Sequence, residues 1–186
     1  GAFQEGAPDE GTLYEWLSAP IAIDGRSIRY RFAKQKAKYL AAALAKLDAE
    51  TPPCRSGSEL RTWLLDLPGI GLKTASWVAR NWLNADDVAI LDIHLLRAGL
   101  LAGFFPRDLT VERHYLQLEA LFLEFSCGLG VRASELDAVI WWEMMSSRET
   151  VQRLMNGDEA ALSFPGITKG RSRDRKAHTS NQMVLV

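Results

Sequence analysis

Apolar residues recur at helical spacing along nearly the whole chain. The strongest periodic segment lies between positions 27 and 48, where Ile28, Phe32, Leu40, Ala43, Leu44 and Leu47 share a face and Lys and Arg occupy the rest. That pattern predicts an amphipathic helix, ended by Pro52-Pro53. A short helix is expected over 12–19, opened by Thr12 with Glu15 three residues on as a capping box, and Asp24-Gly25 reads as the loop after it. Ser56 or Ser58 starts a helix over about 58–66, and another follows over about 72–83, with Leu67-Pro68-Gly69-Ile70-Gly71 as a short turn between them. Val88-Ala89-Ile90-Leu91 is strand-like but short. Asp92 then caps a helix over about 93–102, which Phe105-Pro106 breaks. Long helices are expected at about 110–125 and 132–148, separated by Cys127-Gly128-Leu129-Gly130, and two short pieces fill 149–163. The expectation is an all-α fold of two helical lobes, interleaved in a single domain over 1–164. From Pro165 onward the periodicity fades, so 165–186 reads as a mobile tail.

Composition narrows this picture only a little. The 186 residues and 47% apolar content suit one compact domain or two small lobes sharing an interface. Six Trp are efficient core fillers. The net charge of −1 neither supports nor excludes a polyanionic partner. Its distribution is uneven: the tail holds Lys169, Arg171, Arg173, Arg175 and Lys176 against Asp174 alone, and the first twenty residues hold Glu5, Asp9, Glu10 and Glu15. Cys54 and Cys127 are too few for a four-cysteine iron–sulfur or zinc site, and His94, His114 and His178 make no metal spacing. Two thiols fit a reducing, intracellular compartment, with one disulfide as the other reading. No run approaches the roughly 20 apolar residues of a membrane span, and no signal peptide is expected.

The candidate chemistry lies in the stretch from Leu67 to Ala75. Two glycines let the backbone turn sharply between helices and leave amide N–H groups uncovered at a helix N-terminus, a nest that binds phosphate without reading sequence. An ordinary αα-corner also favours Gly. A P-loop is excluded, because its spacing and flanking strand are absent. Lys73 falls in the first turn of the second helix. Ala75, Val78, Ala79 and Trp82 form that helix's apolar stripe, so Lys73, Trp77 and Arg80 form a second stripe that would face a cleft. Nineteen residues after Lys73 comes Asp92, which reads both as a helix cap and as a carboxylate placed to stabilise a cationic transition state.

The order and spacing of Gly71, Lys73, Asp92 and His94 resemble the helix-hairpin-helix DNA glycosylases, the superfamily of endonuclease III and 8-oxoguanine DNA glycosylase. The family pattern is a Leu-Pro-Gly-x-Gly hairpin, a Lys two residues on, an Asp about 18–19 residues later and a His two positions beyond it. The resemblance is firm over about residues 60–100. It implies a bifunctional glycosylase and AP lyase of base excision repair, with Lys73 attacking C1′ of a flipped nucleotide and Asp92 stabilising the sugar cation. Gly69, Gly71 and His94 would contact backbone phosphates, with Arg80 a weaker phosphate candidate. In the family the hairpin holds a monovalent cation through backbone carbonyls, and Leu65, Leu67 and Ile70 occupy the matching positions for K+ or Na+. No other cofactor and no iron–sulfur cluster is implied. The implied partner is double-stranded DNA with a damaged base, met by a monomer inside the cell and away from membranes.

Glu135 to Trp142 resembles the late helix of the 8-oxoguanine branch, where a polar residue and an aromatic four positions later face the flipped base. Asp137 and Trp141 stand there, and Trp77 sits four residues after Lys73, where the family also lines the base pocket. A carboxylate can accept hydrogen bonds from N1–H and N2–H of a guanine-type base, and Trp can stack on its ring. One branch has Gln at the polar position, so Asp137 is a departure. A glycosylase for another oxidised base and a noncatalytic hairpin module that grips DNA backbone are the alternative readings.

Overall fold

The computed structural model describes residues 6–158. It is helical, as expected, apart from one short hairpin. In chain order the elements are α1 (Glu10–Ser18), β1 (Ile21–Ile23), β2 (Arg26–Ile28), α2 (Ala33–Ala49), α3 (Gly57–Leu65), α4 (Leu72–Leu83), α5 (Ile93–Ala102), α6 (Val111–Leu129), α7 (Ala133–Ser146) and α8 (Arg148–Met155). The tail expected over 165–186, and all of the short helical pieces beyond α8, lie outside the described residues.

Three local expectations are corrected. The cap of α1 is Asp9, whose carboxylate accepts the Thr12 amide at 2.8 Å; Thr12 is therefore inside the helix and opens no capping box. The periodic segment at 27–48 is helical only from Ala33. Asp24 and Gly25 both take positive φ (50° and 73°), the backbone of a two-residue hairpin turn, and pair Ile21 with Ile28 across an antiparallel ladder. Asp-Gly carried that signal, and the apolar spacing of Ile28 and Phe32 masked it. The glycines at 128 and 130 do not make a loop from Cys127: α6 runs on to Leu129, and only Gly130, at φ 68°, ends it.

Two apolar cores divide the molecule. One joins Leu60, Leu64 and Leu67 of the α3 region to Ala75 and Ala79 of α4, with Ala85 and Val88 beyond. The other gathers Ala89, Leu91, Leu95, Phe105, Tyr115, Leu118 and Phe122. The strand-like stretch Val88–Leu91 crosses from one to the other without joining a sheet. Its backbone is satisfied by side chains of α6 instead. Glu119 accepts the Ala89 amide at 2.8 Å, while the Tyr115 hydroxyl accepts the Leu91 amide at 3.2 Å and donates to the Ala89 carbonyl at 2.8 Å. Burial pushes the Tyr115 hydroxyl pKa up, which keeps this donor neutral.

Glu119 is itself buried against Arg61 of α3, whose Nη1 donates to both carboxylate oxygens and to Ser76 Oγ. Removing one partner of such a pair strands the other charge in the interior. Glu119→Ala should therefore lose about 3–5 kcal/mol of stability, read from urea unfolding. A loss no larger than that of a surface substitution would contradict the role given to this pair.

The acidic loop after α4 ties the helices together. Asp87 accepts the Gly57 and Ser58 amides at the start of α3, both at 2.9 Å. Asp86 accepts the Ser134 amide (3.0 Å) and Arg132 Nε (2.6 Å) at the start of α7. Two adjacent aspartates thus cap two different helices and set α7 beside α4.

Candidate active site

Gly71 is the N-cap of α4, so Lys73 stands in the helix's first turn. Asp92 caps α5 from the end of the crossing segment. Its Oδ1 accepts two amide N–H groups, from His94 at 2.8 Å and Leu95 at 3.0 Å. Its Oδ2 lies 3.7 Å from Lys73 Nζ. One oxygen is thus committed to holding the helix while the other faces the amine. Lys73 is largely exposed (58%) and Asp92 nearly buried (12%), so the pair sits at a mouth rather than in a core.

Behind the mouth lies a cavity of about 380 Å³ between α4 and α7. Lys73, Trp77 and Arg80 line it from α4, as the stripe spacing predicts, Asp92 from the head of α5, and Asp137 and Trp141 from α7. Trp77 and Trp141 are 51% and 43% exposed, which leaves indole surface bare on both walls. At the floor Asp137 is buried. Its Oδ1 accepts Arg80 Nη2 at 2.6 Å, and the same nitrogen donates to the Ser134 carbonyl. Oδ2 is buried and has no hydrogen-bond partner. Burial pushes the Asp137 carboxyl up to about 6; the Arg80 guanidinium and the Ile90 amide pull the other way, and the charge of Asp92 adds to the rise. The cavity thus carries an amine and a carboxylate at its mouth, a buried carboxyl with one unpartnered oxygen at its floor and aromatic walls.

At the hairpin, Gly69 adopts φ 78°, and a Cβ there would fall inside the Tyr39 ring, so this glycine serves both the turn and its packing. Gly71 differs. Its φ is −103° and a Cβ there would meet nothing within 4 Å, so nothing inside the described fold asks for glycine. His94 is half-buried with its ring edge-on to Trp141, centroids 6.3 Å apart. The Leu67 carbonyl accepts the Ile70 amide at 3.2 Å, which leaves it one further lone pair. Leu65, at the end of α3, and Ile70, in the turn, each add a neutral carbonyl oxygen of the same kind.

Residues 11–131 match the profile of the family described as Ogg-HhH, 8-oxoguanine DNA glycosylase. The chain belongs to this family. It is 34% identical over 128 residues to an 8-oxoguanine DNA glycosylase/AP lyase of Saccharolobus islandicus (strain Y.N.15.51), covering 63% of this chain and 61% of that protein. Proteins of the same name are 31% identical over 121 residues in Thermoplasma acidophilum (62% of this chain, 57% of the relative) and 30% over 123 residues in Methanocaldococcus jannaschii (63% and 58%). The chain therefore spans about three fifths of the length of these relatives. No solved structure matches it.

Two side chains of α4 depart from the sequence reading. Arg80 does not point outward to a phosphate; it is turned inward onto Asp137, with 16% of its side chain exposed. Trp82 is 76% exposed and does not belong to the apolar stripe, which consists of Ala75 and Ala79 with Val78 partly buried. The Arg80–Asp137 pair, and the support of Ala89 and Leu91 by Glu119 and Tyr115, escaped the sequence reading because the partners lie 57 and 24 to 30 residues apart on elements whose mutual packing no periodicity encodes. An Arg on the cleft-facing stripe and an Asp on the facing helix are the only signal that could have suggested the first.

Proposed function

We propose that this protein is a bifunctional 8-oxoguanine DNA glycosylase and AP lyase, acting as a monomer on double-stranded DNA. The observation that carries the reading is Lys73 Nζ at 3.7 Å from Asp92 Oδ2 at the entrance to a cavity with an orphaned acceptor. The name borne by the relatives supports it.

In the proposed reaction a damaged nucleotide leaves the stack and its base enters the cavity. Asp137 Oδ2 accepts from the N1–H and N2–H edge, and Trp77 and Trp141 cover the ring faces. Lys73, as the neutral amine, gives its lone pair to C1′ as the C1′–N9 bond breaks and the base departs with that electron pair. Asp92 Oδ2 offsets the positive charge that develops on the sugar and takes the proton shed by Nζ. Opening of the sugar gives an imine to Lys73. Loss of a C2′ proton then expels the 3′ phosphate by β-elimination, nicking the strand, and water later frees the lysine. Gly69 and Gly71 present amides to a phosphate, where the bare Cβ position of Gly71 lets the backbone approach, and His94 contacts a phosphate next to the flipped nucleotide. The Leu65, Leu67 and Ile70 carbonyls would hold K+ or Na+, which stiffens the turn.

Borohydride should trap the protein covalently on duplex DNA with 8-oxoguanine opposite C. Failure to trap with DNA bound and Lys73 intact would refute the reading. Trapping on an oxidised pyrimidine instead would move the substrate to another oxidised base.

A further inference from the structure

Residues 26–47 contain seven Lys or Arg and not one Asp or Glu, in a chain whose net charge is −1. Six of the seven, Arg26, Arg29, Arg31, Lys34, Lys36 and Lys38, fall on the β1–β2 hairpin, its exit and the first half of α2, and all six are exposed. Among the described residues none of them is within ion-pair distance of a carboxylate, whereas Lys46, Arg61, Lys73, Arg80, Arg132 and Arg153 all are. Unpaired like charges this dense repel one another, which costs free energy unless a polyanion shares the surface.

The hairpin also exposes apolar surface on both strands. Ile21, Ile23 and Ile28 are 57%, 49% and 48% exposed, and with Tyr30 and Phe32 they border a shallow open depression. Arg31 lies over the Phe32 ring at 4.3 Å. An isolated two-stranded ribbon with uncovered side chains is marginal by itself, so this one is built to meet something.

Its position says what. Tyr39 of α2 packs on Gly69 of the helix-hairpin-helix turn; Gln35 donates to the Tyr39 hydroxyl at 2.9 Å, and Lys36 Nζ is 5.8 Å from the Tyr39 ring centre. Lys36 is thus placed beside the turn assigned to phosphate, and the other five cations lie on the same helix and on the hairpin and exit that lead into it. We propose that the β1–β2 hairpin and the first half of α2 form a second DNA-backbone surface, continuous with the turn, whose cations neutralise phosphates of the duplex flanking the lesion. Its exposed aliphatic and aromatic side chains lie against sugar edges. A second copy of the chain would bring this cationic surface against itself, and a flat anionic bilayer would not explain its continuity with the hairpin turn. The inference rests on the DNA-repair reading above.

The test is equilibrium binding of the full chain to an undamaged duplex across a salt series. The triple variant Arg26→Gln/Arg29→Gln/Lys34→Gln should bind at least about tenfold more weakly near 0.1 M salt, with a log K against log salt slope shallower by roughly 2 to 3. Its melting temperature should stay near that of the native chain. A control, Arg148→Gln/Arg153→Gln on α8, should change the slope little. An unchanged slope in the triple variant, or an equal change in the control, overturns the proposal. So does loss, by the triple variant, of binding to phosphatidylserine vesicles or of self-association while DNA binding stays intact. Borohydride trapping on 8-oxoguanine duplex separates the two readings: no trapping by the native chain with the slope change intact removes the substrate assignment alone, and normal trapping with no slope change removes this surface alone.

Discussion

Lys73→Gln should abolish borohydride trapping and lower strand cleavage by on the order of 10³-fold or more, while affinity for lesion-containing duplex stays within a few-fold of the native chain. Glutamine stays polar at one atom less in length, but has no lone pair free to attack C1′ and cannot form an imine. The geometry makes the result informative. Lys73 is largely exposed and touches Asp92 only through Oδ2, whereas the α5 cap runs through Oδ1. Removing the amine therefore leaves the cap in place, and an ion pair whose lysine lies largely in solvent contributes little to stability. A circular-dichroism melt should show a fold of native stability. If the variant still nicks abasic DNA at the native rate, another amine is the nucleophile. If instead lesion binding collapses along with cleavage, Lys73 serves mainly to hold phosphate, and the noncatalytic reading gains ground.

Asp137→Asn should separate the two half-reactions. Base excision from 8-oxoguanine duplex should fall by about 10²-fold or more, since a buried acceptor for two N–H donors is replaced by a group that can present N–H to them. Cleavage of a preformed abasic site, which needs only Lys73 and Asp92, should change far less. The native protein should also carry a pH signature. Burial holds the Asp137 carboxyl at about 6, so its acceptor form exists above that pH and is lost as the pH falls through it. Excision, measured under single turnover from pH 5 to 8, should lose an acid limb centred near 6 in the variant. The groups facing Asp137 are Arg80, Asp92 and the Ile90 amide, with Lys73 across the cavity, and Lys73 is unchanged in the variant. An identical acid limb in both proteins would assign that proton to another group. For the fold the sign is opposite: a carboxyl raised above its unfolded value makes the native state less stable as the pH rises from the ordinary carboxylate range through 6. The pocket is thus ionised against its own stability, the usual condition of a functional site.

The sequence read most clearly where one signal sufficed. The bounds of α4 and α5 follow from Gly71 and Asp92, local caps whose preference is intrinsic. The cleft stripe of Lys73, Trp77 and Arg80 follows from helical period alone. Legibility failed where a long-range partner decided the outcome. Val88–Leu91 has the composition of a strand, but its amides are met by Glu119 and Tyr115 from α6, a pairing that no local rule contains. Arg80 reads as a weaker phosphate candidate on the cleft-facing stripe; the buried carboxylate 57 residues on turns it inward. The hairpin was missed for the opposite reason. Asp24-Gly25 is a strong local turn signal, and the apolar spacing that continues into α2 outweighed it wrongly.

The crossing segment has a further consequence. Asp92 follows a stretch that belongs to no helix or sheet, yet the Ala89 and Leu91 amides of that stretch are tied to α6. Such a stretch cannot fray alone: freeing the Ala89 amide means exposing Glu119 and, with it, Arg61 of α3. Local unfolding of this loop is therefore coupled to opening of both apolar cores. Amide-exchange protection at Ala89 and Leu91 would follow the global stability of the protein, and the carboxylate opposite Lys73 would keep its place for as long as the protein is folded at all.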